Sequence, residues 1–375
     1  MKQVYLDYNA TTPMDQRVFD AMEPYFVKKF GNASSRHPFG WEAKEIVENT
    51  RKSIETEING KTKEIIFTSG ATESINLAIK GICQSKNIQK NHIITQVTEH
   101  KAVLDTCGAM EKLGFRITYI DVDNHGIVHP EKIKDAICPD TLLIAIMHAN
   151  NEIGVIQPID EIGKICKEKD VLFLVDAAQT FGKLSINVRE MNIDFLVGTG
   201  HKIYGPKGIG FLYINSGKHL DFIPQIHGGG HERGWRAGTL PVPQIAGFGK
   251  AIELCKSERE DDNNSQSKLR KILMDEILIS LPDTIINGSM VHRLPNNINF
   301  SFPGTDGDSL LMKLEHIAVS SGSACTSATM EPSYVLRALG LNNNLAKASI
   351  RVGFGRFTTE EDVRFAASEI IKAVR

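Results

Sequence analysis

Val197-Gly198-Thr199-Gly200-His201-Lys202-Ile203-Tyr204-Gly205-Pro206-Lys207-Gly208-Ile209-Gly210 leaves one apolar strand, Asp194 to Val197, and enters another, Ile209 to Tyr213. Thr, His and Lys stand between them among glycines, which places Lys202 at a strand end. A lysine on such a loop condenses with an aldehyde when burial or neighbouring cations deprotonate it. Alone, it reads more readily as a solvated loop residue, since lysines are mostly exposed.

A second stretch changes the weighting. Leu172-Phe173-Leu174-Val175-Asp176-Ala177-Ala178-Gln179 is an apolar strand ending in an acid and an amide. Open α/β sheets bind ligands at the carboxyl ends of their strands. Pyridoxal phosphate requires this combination: a lysine for the Schiff base and an acid to keep the pyridine nitrogen protonated.

Apolar strands and helices alternate around this pair. A helix is expected from Pro38 to Ile58, then strand Glu64 to Phe67, a Thr68-Ser69-Gly70-Ala71-Thr72 turn and a helix carrying Ile75, Ala78, Ile79 and Ile82. A small-residue turn at a helix N-terminus is an anion site. Further strands at His92–Val97, Arg116–Ile120 and Leu142–Met147 alternate with helices His100–Leu113, Pro130–Ile137 and Ile159–Lys169. The pattern implies a mostly parallel sheet covered on both faces. Two of the strand ends carry further polar groups, Thr98-Glu99-His100 and His148-Ala149-Asn150-Asn151-Glu152.

The polar run Glu258 to Asn264 reads as the join to a second, α+β unit with a helix from Gln266 to Leu281 and a strand Asn297 to Phe302. Asp306 is expected to cap a helix bearing Leu310, Leu311 and Leu314. The last helix opens on Thr358-Thr359-Glu360-Glu361, a capping box. Domains are therefore expected over 15–258, and over 1–14 with 259–375.

Six cysteines are scattered without a C-x-x-C pair, so neither a disulfide framework nor a zinc site is indicated. Cys83 and Cys166 follow helical apolar stripes and read as core residues, whereas Cys325 lies in Val319-Ser320-Ser321-Gly322-Ser323-Ala324-Cys325-Thr326-Ser327-Ala328-Thr329, without an apolar stripe. It reads either as an accessible thiol or as a half-buried loop thiol. His227-Gly228-Gly229-Gly230-His231 spaces two histidines four apart, but the glycines prevent one helical face from presenting both to a metal. Arg351, in the alternating Ser349-Ile350-Arg351-Val352, is either an interface arginine or a fork for a carboxylate.

The 375 residues carry a formal net charge of -2, which argues against a nucleic-acid partner spread over the whole surface. The start, Met1 to Asp7, lacks a signal-peptide pattern, and the apolar runs are too short to span a bilayer. A soluble cytoplasmic protein is expected.

Together these motifs resemble the cysteine desulfurases of the NifS/IscS type. The matching stretches are Asp7 to Pro13, Thr68 to Asn76, Thr98 to Leu104, Asn150 to Gly154, Asp176 to Gln179, Gly200 to Gly210, His227 to Thr239, Ser320 to Ser327, Glu331 to Gly340 and Arg351 to Thr359. The resemblance implies the aspartate aminotransferase-like fold of pyridoxal-phosphate-dependent transferases: a large domain with a seven-stranded sheet, plus a smaller α+β domain. It implies that Lys202 carries the Schiff base and moves the Cα proton, that Asp176 pairs with the pyridine nitrogen and Gln179 with the ring oxygen, and that His100 stacks on the ring and serves in acid/base steps.

The same resemblance assigns the phosphate to Ala71, Thr72, Thr199 and His201, with Thr239 supplied by the second subunit of a homodimer, and the substrate carboxylate to Asn151 and Arg351. Thr199 stands where many members have serine, which keeps the hydroxyl. The implied reaction turns L-cysteine into L-alanine and leaves its sulfur as a persulfide on Cys325. An acceptor such as an iron–sulfur scaffold protein or a thiolation enzyme then takes the sulfur. No resident metal is implied; Cys325 is available as a transient iron–sulfur ligand. A selenocysteine lyase, a true class V aminotransferase and a non-catalytic assembly partner are the competing readings. The end at Arg375 lacks the extension that helps some members dock scaffolds, which leaves the acceptor open.

Overall fold

In a computed structural model, described over residues 2–85, 89–218, 220–321 and 331–375, alternating apolar segments become a seven-stranded sheet. The elements before and within it are β1 (Val4–Tyr5), α1 (Gln16–Val27), α2 (Pro38–Ile58), β2 (Ile65–Thr68), α3 (Ala71–Cys83), β3 (His92–Gln96), α4 (Lys101–Glu111), β4 (Arg116–Ile120), α5 (Pro130–Ala136), β5 (Thr141–Met147), α6 (Ile159–Glu168), β6 (Leu172–Asp176), β7 (Phe195–Thr199) and β8 (Gly210–Ile214). The order across the sheet is β2-β8-β7-β6-β5-β3-β4. Strand β8 alone runs against its neighbours, because it returns directly from the Lys202 loop; the other pairings are parallel.

Both faces are buried. Along β6, Phe173 and Val175 enter one core with helices α2 and α6, while Leu172 and Leu174 enter another with α3 and α4. This is the two-residue period of a strand covered on both sides. The strand residues show no polar face because neither face meets water.

The rest of the chain comprises α7 (Val242–Ser280), β9 (Ile285–Ile286), β10 (Asn297–Ser301), α8 (Gly307–Lys313), β11 (Ile317–Ala318), α9 (Tyr334–Ala338), α10 (Asn343–Lys347), β12 (Ser349–Gly353) and α11 (Glu360–Val374). Strands β12-β10-β9 form an antiparallel sheet, and β1 pairs with β11. A third core gathers Leu269, Phe300, Ile350 and Ile370.

Two expectations are corrected. The polar run Glu258 to Asn264 is not a break between helices: it lies inside the 39-residue α7. Its acids are held by arginines, Glu258 by Arg17 at 2.5 Å and Asp262 by Arg356 at 2.8 Å, so polarity here marks an ion-pair network rather than a loop. The final capping box is formed by Thr359 and Asp362, one residue later than expected. Cys138 differs from the four other described cysteines, which are buried: it is partly exposed, and Arg116 donates to its sulfur at 2.9 Å.

Asp15 joins the ion-pair network by caps and charges at once. It accepts from the Arg17 backbone N–H at 3.0 Å and pairs with Arg17 and Arg356. Hydrogen bonding from Arg17 in particular, with Arg356 adding to it, draws its carboxyl down to about 2. A depressed folded-state value stabilises the fold above the unfolded value of about 3.9, and that stability disappears as pH falls towards the folded value. Asp15→Asn, which keeps the cap, is expected to lower the thermal midpoint at pH 7, with the difference from wild type shrinking as melts are repeated from pH 5 down to pH 3.

Candidate active site

The strand ends on one side of the sheet open into a cavity of about 510 Å³. Its wall includes Ala71, Thr72, His100, Asn151, Asp176, Gln179, Thr199, His201, Lys202 and Arg351. Parallel strands bring these residues together: β2, β3, β5, β6 and β7 point their carboxyl ends the same way, so the residues following each share one rim. Thr239 is exposed and lies outside this wall. Cys325 falls outside the described residues.

Asp176 ends β6 and is buried, with Oδ1 accepting from the Ala178 N–H at 2.9 Å. Burial raises its carboxyl above the ordinary range, against the lowering pull of that N–H, His100 and Lys202. A cation arriving beside it would relieve that cost. Lys202, on the loop after β7, donates to the backbone carbonyls of Asn9 and, at 2.7 Å, Ala10.

The N-terminal segment clamps this loop. Thr12 N–H and Oγ1 both donate to the His201 carbonyl, and His201 Nδ1 lies 3.1 Å from Thr11 Oγ1. Asn9 is buried and accepts at its carbonyl from Gln179 Nε2 at 2.9 Å. Asn9, Ala10 and Thr11, to which the sequence assigned no individual role, line the cavity. Their signal was a run of small polar residues without strand or helix period.

At the opposite end of the cavity, helix α3 starts after Gly70 with no capping side chain there. Gly70 has φ 154°, ψ −177°, a region essentially restricted to glycine. A Cβ there would project to 3.7 Å from Thr199 Oγ1, so the missing side chain leaves a cradle between the helix start and that hydroxyl. Lys207 also lines the space. Burial chiefly, then Lys202 and Lys207, drives His201 down to about 4, so its ring is neutral at neutral pH in a cationic setting. Free helix amides, a hydroxyl and cations fit a phosphate-sized anion.

Arg351, on β12, is buried and forms the remaining wall. Its Nη2 donates to Asp7 at 2.6 Å and its Nη1 to the Asn151 carbonyl at 3.1 Å, while Nε has no hydrogen-bond partner among the described residues. His100 is the N-cap of α4: its Nδ1 accepts from the Ala102 N–H at 3.1 Å, so the proton of the neutral ring is on Nε2.

The aminotransferase class-V family model matches residues 4–365. The chain belongs to the class V aminotransferase family. Within it, the chain stands with the cysteine desulfurases: it is 53% identical over 371 residues to a protein named cysteine desulfurase IscS from Neisseria meningitidis serogroup C, covering 99% of this chain and 91% of the relative. A solved structure called a NifS-like protein superposes with TM-score 0.92 at 36% identity, covering 99% of this chain and 98% of that one. A second, titled SspA in complex with cysteine, gives TM-score 0.85 at 38% identity over 95% of this chain and 100% of that one.

The class V fold of this chain depends locally on Gly70. Gly70→Ala is expected to cost roughly 1–3 kcal/mol of stability from backbone strain. It should also weaken binding of inorganic phosphate and of cofactor. Thermal melts and a fluorescence titration with each ligand check both effects.

Proposed function

We propose that this chain converts L-cysteine to L-alanine and passes the sulfur, through a persulfide on Cys325, to an acceptor protein. The observation that carries the reading is the meeting in one cavity of Lys202, Asp176, the uncapped start of α3 and the buried fork of Arg351. Those groups suit a pyridoxal phosphate with an amino acid beside it, and relatives at about half identity carry the name cysteine desulfurase.

When bound, pyridoxal phosphate supplies an electron sink that labilises the bonds to the substrate's Cα. Ala71, Thr72, Thr199 and His201 would hold its phosphate, Asp176 its ring nitrogen, Gln179 its ring oxygen and His100 its face. Lys202 Nζ, released from the Asn9 and Ala10 carbonyls, would serve as the covalent anchor and then carry the proton at Cα. Arg351 and Asn151 would orient the substrate carboxylate; the Nε of Arg351 is buried and has no hydrogen-bond partner among the described residues.

The Cys325 thiolate attacks the substrate sulfur. The S–S bond forms as the C–S bond breaks, the electron pair stays with carbon, and a proton completes alanine. One cysteine and one thiol thus become one alanine and one persulfide, with atoms and electrons balanced. The acceptor, an iron–sulfur scaffold or a thiolation enzyme, then takes the outer sulfur.

The working unit is a homodimer. Phe26, Val27, Phe30, Phe39 and Trp41 are exposed at the end of α1 and the start of α2, with Phe30 and Phe39 stacked at 5.7 Å. Such an apolar surface is suited to a second copy. Thr239, exposed and away from its own cavity, is then available to the partner's phosphate. Residues 15–258 act as the cofactor unit, and residues 1–14 with 259–375 as the unit bearing Cys325. The proposed setting is the cytoplasm, with which the free state of the described cysteines is consistent; no helix among the described residues is long and apolar enough to cross a membrane.

The purified protein is expected to show a visible cofactor band that shifts on adding L-cysteine, with alanine and, under reductant, sulfide released. Lys202→Ala should abolish the covalently bound form of the band, and Cys325→Ala should keep the band but lose both products. A band without cysteine-dependent alanine would overturn the assignment. Phe30→Asp combined with Trp41→Asp should halve the sedimenting mass.

A further inference from the structure

The residues on either side of His100 are both held by one aromatic side chain. Tyr334 Oη donates to the Glu99 carbonyl at 2.6 Å, and the Lys101 ammonium lies 4.7 Å from the centre of the Tyr334 ring. Glu99 is anchored a second time: it is fully buried, and its Oε1 accepts from the N–H of Met147, the last residue of β5, at 2.6 Å. The turn is therefore fixed on the β5 side by the Glu99 side chain and on the α9 side by its carbonyl.

Tyr334 is itself rigidly mounted. It is the first residue of α9, whose cap Ser333 accepts from the Leu336 N–H at 3.1 Å, and the next two residues, Val335 and Leu336, are buried in the large core with α2 and α6. Tyr334 is not among the described residues that line the cavity, whereas His100 is.

We propose that Tyr334 is a positioning residue for His100. Its hydroxyl sets the orientation of the Glu99–His100 peptide and its ring face restrains Lys101, so the imidazole between them is held at one depth and tilt over the cavity. The role rests on the assignment of His100 to the cofactor ring. A hydroxyl donating to a backbone carbonyl orients the peptide plane, and the start of α4, capped by His100 Nδ1, follows that plane. Displacing a group by about 1 Å from productive geometry costs on the order of a hundredfold in rate, so a partial loosening of the turn is expected to cost roughly tenfold.

The test is a double-mutant cycle on the holoenzyme with Tyr334→Phe, His100→Ala and the pair. The readouts are kcat and KM for alanine formation from L-cysteine, the visible circular dichroism of the bound cofactor, and the thermal midpoint. Tyr334→Phe, which removes only the hydroxyl, should lower kcat by roughly tenfold with KM changed less than about twofold, and should alter the cofactor dichroism. On the His100→Ala background the same substitution should change kcat by less than about twofold, because residues that act through one another are not additive.

Lys101→Met, which leaves the hydroxyl bond in place, provides a second arm should Tyr334→Phe fold poorly. It should alter the dichroism in the same sense, with a smaller loss of kcat that also vanishes in the His100→Ala background. Equal fold losses in the two backgrounds, or dichroism and kcat unchanged in both single variants, overturn the positioning role. An inert His100→Ala overturns the assignment of His100 and this inference with it.

Discussion

A sheet buried on both faces leaves its strands chiefly their ends to present polar chemistry, and here the cavity gathers the carboxyl ends. Phe173, Leu174 and Val175 enter two different cores in succession, and the first residue free of that demand is Asp176. The same holds for β7, whose apolar Leu196 and Val197 give way to Thr199 and the Lys202 loop. Because these strands are adjacent and parallel, their ends meet, and an acid and a lysine far apart in sequence line one cavity.

The other walls are brought by the two chain ends. Asn9, Ala10 and Thr11 come from the start, and Thr12 after them ties down the loop through the His201 and Tyr204 backbone. Arg351 comes from β12, where Asp7 and the Asn151 carbonyl hold its guanidinium. A buried arginine without a counter-charge would be costly, so Asp7 keeps the fork in place. Helix α7 connects the cores: its first half packs with Phe248 and Ile252 in the large one, its second with Leu269 and Leu273 in the smaller.

Where periodicity was strong, the sequence was legible. Helix α2 runs from Pro38 to Ile58, as its apolar stripe and N-terminal proline require. A new helix was expected after the polar middle of α7, yet one helix runs through it, because local polarity does not distinguish a helix break from a helix surface. Arg17 and Arg356 resolve it, and neither is near that stretch in sequence. Asn9 and Thr11 gave no periodic signal at all, since their burial comes from contacts with Gln179 and His201, some 170 and 190 residues away.

By itself, the sequence determined the alternation of strands and helices, the glycine turn before α3, and the placing of Asp176 and Lys202 at strand ends, because these follow from local period and backbone conformation. It determined the family as well, through motifs that occur in order along the chain. Only the tertiary structure decided which residues hold the cavity-lining ones in place: Asp7 on Arg351, the Asn9 carbonyl on Lys202 and Tyr334 on the His100 turn. Such contacts join segments hundreds of residues apart, and a hydrogen bond depends on distance and angle in the folded chain, which no local pattern of residues encodes.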